Sequence, residues 1–311
     1  MSKKLISIVT GCFNEEDNVE ALHEQIAVAM AELPAYNYEH IYIDNASTDR
    51  TIPLLRKIAA EDKHVKVILN SRNFGHIRSP YYGLLQAKGD AVVSMASDLQ
   101  DPPSMIKEFV KKWEEGYKVV MGVKTSSQES RLVYGLRTMY YKFLAKLSDV
   151  QLVENFTGFG CYDQQVVEIL RQMNDPYPYF RGLIADIGFP AAKIEFNQPK
   201  RKRGITKNNF YTLFDMAMLG FTNNTKIPLR LATIFGFFTA AVSMLIGLFY
   251  LVYKLVNWQN FQLGSAPIVI GLFFFGAIQL FFLGIVGEYI GAIYTQVLHR
   301  PLVIEKERIN F

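Results

Sequence analysis

Cysteine is scarce in this chain: Cys12 and Cys161 are the only two in 311 residues. That is too few for a disulfide framework, and neither sits in a metal-ligand spacing, so both are expected as small buried side chains in a reducing compartment. The N-terminal residues, Met1-Ser2-Lys3-Lys4 and a short apolar run over 5–10, lack the long apolar segment of a signal peptide. The run is expected as a first β-strand, in a domain that stays in the cytoplasm. No Gly-x-Gly-x-x-Gly follows it and no Gly-Lys-Ser/Thr occurs anywhere, which removes the main support for a dinucleotide fold or a P-loop ATPase. A strong charge of one sign is missing too: 33 Lys and Arg stand against 29 Asp and Glu, a net +4. That balance makes no case for nucleic acid as a partner.

Hydrophobic residues, by contrast, make up 50% of the chain and concentrate after residue 228. Residues 231–253 hold no charge, and at about 1.5 Å per residue they cross a hydrocarbon core of about 30 Å. A second uncharged run covers 266–287 and ends at Glu288, which is expected at a membrane interface or, alternatively, within the membrane. Lys226, Arg230, His299, Arg300, Lys306 and Arg308 flank the outer ends, and only Lys254 lies near the link. The positive-inside rule then puts both termini in the cytoplasm. Gly284, Gly287 and Gly291 would let another helix approach closely, within the hairpin or in a homo-oligomer. Upstream, Phe210, Leu213, Phe214, Ala217, Met218 and Phe221 recur at helical spacing. They predict an amphipathic helix, either lying in the membrane interface or packed on the soluble domain.

Before residue 200 the pattern alternates. Strand-like runs at 5–10, 40–44, 65–69, 91–96 and 118–122 are separated by helical patterns near 18–32, 51–61, 79–88 and 103–115. This predicts an α/β fold with a mostly parallel sheet flanked by helices, and ligands at the carboxyl ends of its strands. The polar segments fall there: Gly11-Cys12-Phe13-Asn14-Glu15-Glu16, Asp44-Asn45-Ala46-Ser47-Thr48-Asp49, Ser71-Arg72-Asn73-Phe74-Gly75-His76 and Ser97-Asp98-Leu99-Gln100-Asp101-Pro102-Pro103. Each alone could be a helix start, with Ser47 or Thr48 as a cap or proline in a first turn. Four on one sheet edge indicate a site. Asp98 and Gln100 offer hard oxygen ligands to Mg2+ or Mn2+, which would bridge a diphosphate.

The order CFNEE, IDNASTD, RNFGH, SDLQDPP, RKRGITK and two membrane spans resembles the inverting GT-A-type glycosyltransferases of family 2 that load sugars onto polyprenyl phosphates. The resemblance extends over nearly the whole chain. It implies a GT-A catalytic domain over residues 1–207, an interfacial helix over 208–228, a two-helix transmembrane hairpin within 229–298 (spans near 230–254 and 266–290) and a cytoplasmic tail over 299–311. It implies that Asn14, Glu15, Asp44, Asn45, Arg72, Asn73 and Asp98 bind the nucleotide sugar and that Asp98 and Gln100 hold Mg2+ or Mn2+. Asp101 would open the acceptor-side helix. Arg201, Arg203, Thr206 and Lys207 would form a loop that closes over phosphates; attraction of that loop to anionic lipids is a second role. Catalysis would rest on Asp98, Asp101, Arg201 and Lys207, in an inner membrane, with nucleotide sugar and polyprenyl phosphate as partners.

Three positions depart from that family's pattern: Asn45 stands where a second aspartate is usual, Ala96 where the first of Asp-x-Asp is usual, and Gly158 where relatives carry an acceptor-side acid. The nearest acid, Asp163, is expected to cap the helix beginning at Gln164. These departures leave two rivals open, a transferase with another lipid or glycan acceptor and a catalytically weak nucleotide-sugar-binding scaffold.

Overall fold

The β-branched run Leu5–Cys12 forms β1, and its interior residues are buried on both faces, as a central parallel strand requires. The structure, a computed structural model, describes residues 3–125, 153–199, 227–256 and 265–311. After β1 come α1 (Val19–Ala31), β2 (Asn37–Asp44), α2 (Thr51–Glu61), β3 (Val65–Asn70), α3 (Gly75–Gln86) and β4 (Ala91–Ala96). A 3-10 turn (Pro103–Met105) leads into α4 (Ile106–Glu114) and β5 (Val119–Lys124). Then follow β6 (Phe156–Asp163), α5 (Gln164–Met173), α6 (Phe180–Ile187) and β7 (Ala191–Phe196). Two long helices, α7 (Ile227–Val256) and α8 (Ser265–Val297), precede β8 (Glu305–Ile309).

The eight strands form one sheet in the order β7-β5-β6-β4-β1-β2-β3-β8. Strand β1 pairs in parallel with both β2 and β4, and β2 with β3. Strand β6 runs antiparallel between β4 and β5, and β8 is antiparallel to β3. Alternate side chains supply two cores. Ile8, Tyr42, Val67 and Val93 point to the layer with Leu22, Ile26, Leu55 and Phe109. Val9, Ile41, Ile43, Ile68 and Val92 point to the layer with Tyr81, Leu84, Val166 and Leu170. Each helix against the sheet buries one stripe, Val19, Leu22, Ile26, Ala29 and Met30 on α1 for instance. Each such large apolar side chain contributes about 1.5–3 kcal/mol.

The chain divides into two compact units, Met1–Phe214 with Leu298–Phe311, and Asp215–Val297. The expected tail therefore needs correction, because residues 305–309 are a strand of the sheet. A register of Val67 to Ile309 and Leu69 to Glu307 holds it on β3. Arg56 makes a bidentate ion pair with Glu307, and Asn310 Nδ2 donates to Ala59 O and Val65 O. With four of its five residues charged, β8 covers the β3 edge with polar side chains, a common protection of edges. In the second unit, α7 and α8 are each long and apolar enough to cross a bilayer. Phe235 and Phe282 stack with ring centroids 6.4 Å apart. Among the described residues, a Cβ added at Gly284, Gly287 or Gly291 would meet nothing within 4 Å. The expected interfacial helix lies outside the described residues up to position 226.

Gly160 lies where β6 passes β5 so closely that a Cβ would stand 2.2 Å from Val120 O. Backbone on both sides cannot yield cheaply. Gly160→Ala is expected to destabilise the first unit by about 3 kcal/mol, the upper end for overpacking, and thermal unfolding in detergent checks it.

Candidate functional site

The carboxyl ends of β1, β2, β3 and β4 share one edge of the sheet, and their loops are laced together. At the end of β1, Asn14 is left-handed (φ 55°), which asparagine tolerates better than most residues. Its N–H donates to Ser47 Oγ at 2.8 Å and its Oδ1 accepts from Thr48 N at 2.7 Å. Glu15 N donates to Thr51 Oγ1 at 2.8 Å. Asp44 is fully buried, and its oxygens accept from Ser47 N at 2.9 Å and Ser47 Oγ at 2.5 Å. Burial pushes its carboxyl above the usual range against the pull of those Ser47 bonds. Asp44 thus shapes its own loop. Neither Ser47 nor Thr48 caps α2; Asp49, one residue before the N-cap Arg50, accepts from Thr51 N through Oδ1 at 2.9 Å.

Asn45 ties this loop to the next one. Its Nδ2 donates to Asn73 Oδ1 at 2.8 Å and Gly75 O at 3.2 Å. Its Oδ1 accepts from Phe74 N at 2.8 Å and from Asn70 Nδ2 at 3.2 Å. Asn73 Oδ1 also takes Gly75 N at 2.8 Å, which fixes that amide's orientation. The asparagine at position 45 is therefore required locally: a carboxylate there would face two acceptor oxygens. Both Asn45 and Asn73, expected at the nucleotide sugar, hold loops to each other. Arg72 is exposed, its guanidinium 4.0 Å above the Phe74 ring. Asn70 and Ser79, bonded at 2.9 Å behind this tie, were not anticipated; polar residues buried beneath a loop leave no periodic signal.

The turn after β4 presents Asp98 and Gln100, both half-buried, on either side of the left-handed Leu99 (φ 60°). Gln100 N donates to Asp98 Oδ1 at 3.1 Å. Asp101 lies behind the turn, 6% exposed, its Oδ2 accepting from Ala96 N at 2.9 Å. Burial, with the Asp98 charge adding to it, raises its carboxyl to about 6 despite the Ala96 bond and the Lys124 charge. Asp101 thus holds the turn from inside. Position 96 is exposed and carries only a methyl group. Among the described residues no three His, Cys, Asp or Glu side chains converge as a metal cage. The donor set at this turn, one carboxylate and one amide oxygen, suits Mg2+ or Mn2+ only with phosphate oxygens and water completing the shell.

Gly158 is left-handed (φ 102°), and a Cβ there would touch Phe180 at 3.2 Å, so an acid does not fit this backbone without strain. Asp163 caps α5, accepting from Gln165 N at 3.0 Å, and also binds Trp113 Nε1 and Lys118. Arg201, Arg203, Thr206 and Lys207 lie outside the described residues.

Two family models match the sequence, Glycosyl transferase family 2 over residues 7–170 and the GtrB C-terminal hairpin over 227–293. The uncharacterized glycosyltransferase YkcC of Bacillus subtilis is 34% identical over 96% of this chain and 92% of its own. The bactoprenol glucosyl transferase of Shigella phage SfV is 32% identical over 97% of this chain and 98% of its own. Among solved structures, the M. tuberculosis glucosyl-3-phosphoglycerate synthase matches at 19% identity and a TM-score of 0.48, over 70% of this chain and 78% of that one.

Two substitutions probe this edge. Asn45→Asp is expected to destabilise by about 1–3 kcal/mol, the cost of opposing buried acceptors, read by denaturant unfolding. Asp101→Asn keeps an acceptor for Ala96 N and removes a buried charge. With the folded carboxyl at about 6 and the unfolded one near 3.8, the charge disfavours folding increasingly as pH rises from about 4 to 6, and fully above. The variant is expected to raise Tm at pH 8 and to lose most of that gain at pH 4.

Proposed function

Because the chain belongs to glycosyl transferase family 2 and is a glycosyltransferase, we propose that it moves a sugar from a nucleotide sugar to a polyprenyl phosphate at the cytoplasmic membrane face, with inversion. The observation that supports this most is the pairing of two features. Four polar loops share the carboxyl edge of β1–β4, and relatives named bactoprenol glucosyl transferase align over nearly the whole chain, hairpin included. Positive residues flanking both spans support cytoplasmic termini.

The nucleotide lies across the loops after β1 and β2, where Asn14 and Glu15 are fixed by Ser47 and Thr51. Asp98 and Gln100 would hold Mg2+ or Mn2+. The cation supplies charge stabilisation for the departing nucleoside diphosphate. Asp101 keeps the turn rigid, so that catalysis rests on positioning and on preorganised charge. A lipid phosphate is already anionic near neutral pH, so its attack on the anomeric carbon needs little general-base help. That suits an acceptor side where Gly158 stands in place of an acid. The bare methyl at position 96 favours a second reading, a weak nucleotide-sugar-binding scaffold.

Purified protein with undecaprenyl phosphate, Mg2+ or Mn2+ and a panel of nucleotide sugars is expected to yield a lipid-linked sugar by mass spectrometry. EDTA is expected to abolish product, and Asp98→Asn to lower turnover about 100-fold or more. Nucleotide-sugar binding without product would point to a different acceptor, and failure to bind any nucleotide sugar would leave the scaffold reading in its place.

A further inference from the structure

Beyond the β3 end, Arg72, Arg78 and Arg300 gather around one loop. The Phe74 ring is buried, its N–H held by Asn45 Oδ1, and it serves as a platform. The Arg72 guanidinium sits 4.0 Å from its centroid and that of Arg78 6.0 Å. Arg78 also donates to Pro301 O, which brings the C-terminal segment, and with it Arg300, against the same loop. Ser71 N donating to Ile304 O at 2.9 Å fixes the segment a second time.

Other arginines of this unit are neutralised: Arg56 by Glu307, Arg171 by Glu168 and Arg308 by Glu305. Among the described residues, Arg72, Arg78 and Arg300 have no carboxylate within ion-pair distance. Arg72 and Arg300 are exposed, and Arg78 is half-buried with its Nε hydrogen turned inward and lacking an acceptor. Burial and then the Arg72 and Arg300 charges push the Arg78 guanidinium below its ordinary range. Gathered like charges are relieved by an anion with several acceptor oxygens. Guanidinium forks match phosphate in that way.

We propose that Arg72, Arg78 and Arg300 form a site for the phosphate group of a membrane lipid. The chain itself argues for a lipid source. Helix α8 ends at Val297, so covalent geometry keeps Arg300 within about 10 Å of the end of an apolar span. The site is built from residues other than Arg201, Arg203, Thr206 and Lys207 and does not rest on the proposed transferase acceptor. A polyprenyl phosphate and an anionic bilayer headgroup share the chemistry.

The test uses the full chain and two arms. In detergent, affinity for farnesyl phosphate is measured against farnesol; in reconstituted bilayers, affinity of farnesyl phosphate-free protein for phosphatidylglycerol is measured against phosphatidylcholine by native mass spectrometry. UDP binding and Tm are followed alongside. Arg300→Gln, an exposed change that spares the Pro301 contact, is expected to weaken one arm several-fold. Arg78→Gln/Arg300→Gln together are expected to weaken it about 10-fold or more, with UDP affinity unchanged. The arm that falls identifies the source. Both arms unchanged in Arg300→Gln and in the double variant would overturn the proposal, as would an equal loss of UDP affinity. A wild-type protein that binds no nucleotide but shows the arginine-dependent arm would sink the transferase reading and leave this one standing.

Discussion

Parallel pairing of β1 with β2 on one side and β4 on the other is the constraint from which the candidate site follows. Parallel strands end at one edge, so the loops after β1, β2, β3 and β4 must meet there. Burial of both strand faces fixes the register, since a slip of one residue would exchange the two cores. What remains is to hold four polar loops rigid at a surface, and hydrogen bonds between neighbouring loops do this. Asn14 with Thr48 and Asn45 with Asn73 tie neighbouring loops, and Asp101 with Ala96 braces its own turn.

Those ties place carboxylates where folding alone would not. Asp44 and Asp101 are both buried, and both have carboxyls raised by burial. Each is satisfied by donors of its own loop, so the charge rigidifies a turn at some cost in stability. Glu15, Asp98 and Gln100 are half-buried in the loops so held, and we propose them as the groups presented to a ligand. The division is between residues that hold shape and residues that are presented.

Much of this was legible from pattern. Strong β-branched runs gave β1 to β5 within a few residues, and 51–61 matched α2 at both ends. The antiparallel and edge strands were not anticipated. In β8, Glu305-Lys306-Glu307-Arg308-Ile309 offers one apolar residue, because an edge strand needs hydrogen bonds from β3 more than burial. Strand β6 contains Gly158 and Gly160, which weaken any strand signal, yet the β5 backbone demands Gly160. At the site, positions were legible and roles less so. Asn45 looked like a lost acid, and only the four partners of its amide explain why an asparagine stands there. Asp163, expected to cap α5, does so.

The central claim, that the four loops at the carboxyl edge of β1–β4 bind a nucleotide sugar, is tested most directly by hydrogen exchange of the full chain with and without UDP-sugar and Mg2+. The account predicts slowed exchange in peptides spanning 11–16, 44–51 and 96–101, with smaller effects at 70–76. Protection confined to other parts of the sheet, or none at saturating ligand, would contradict it.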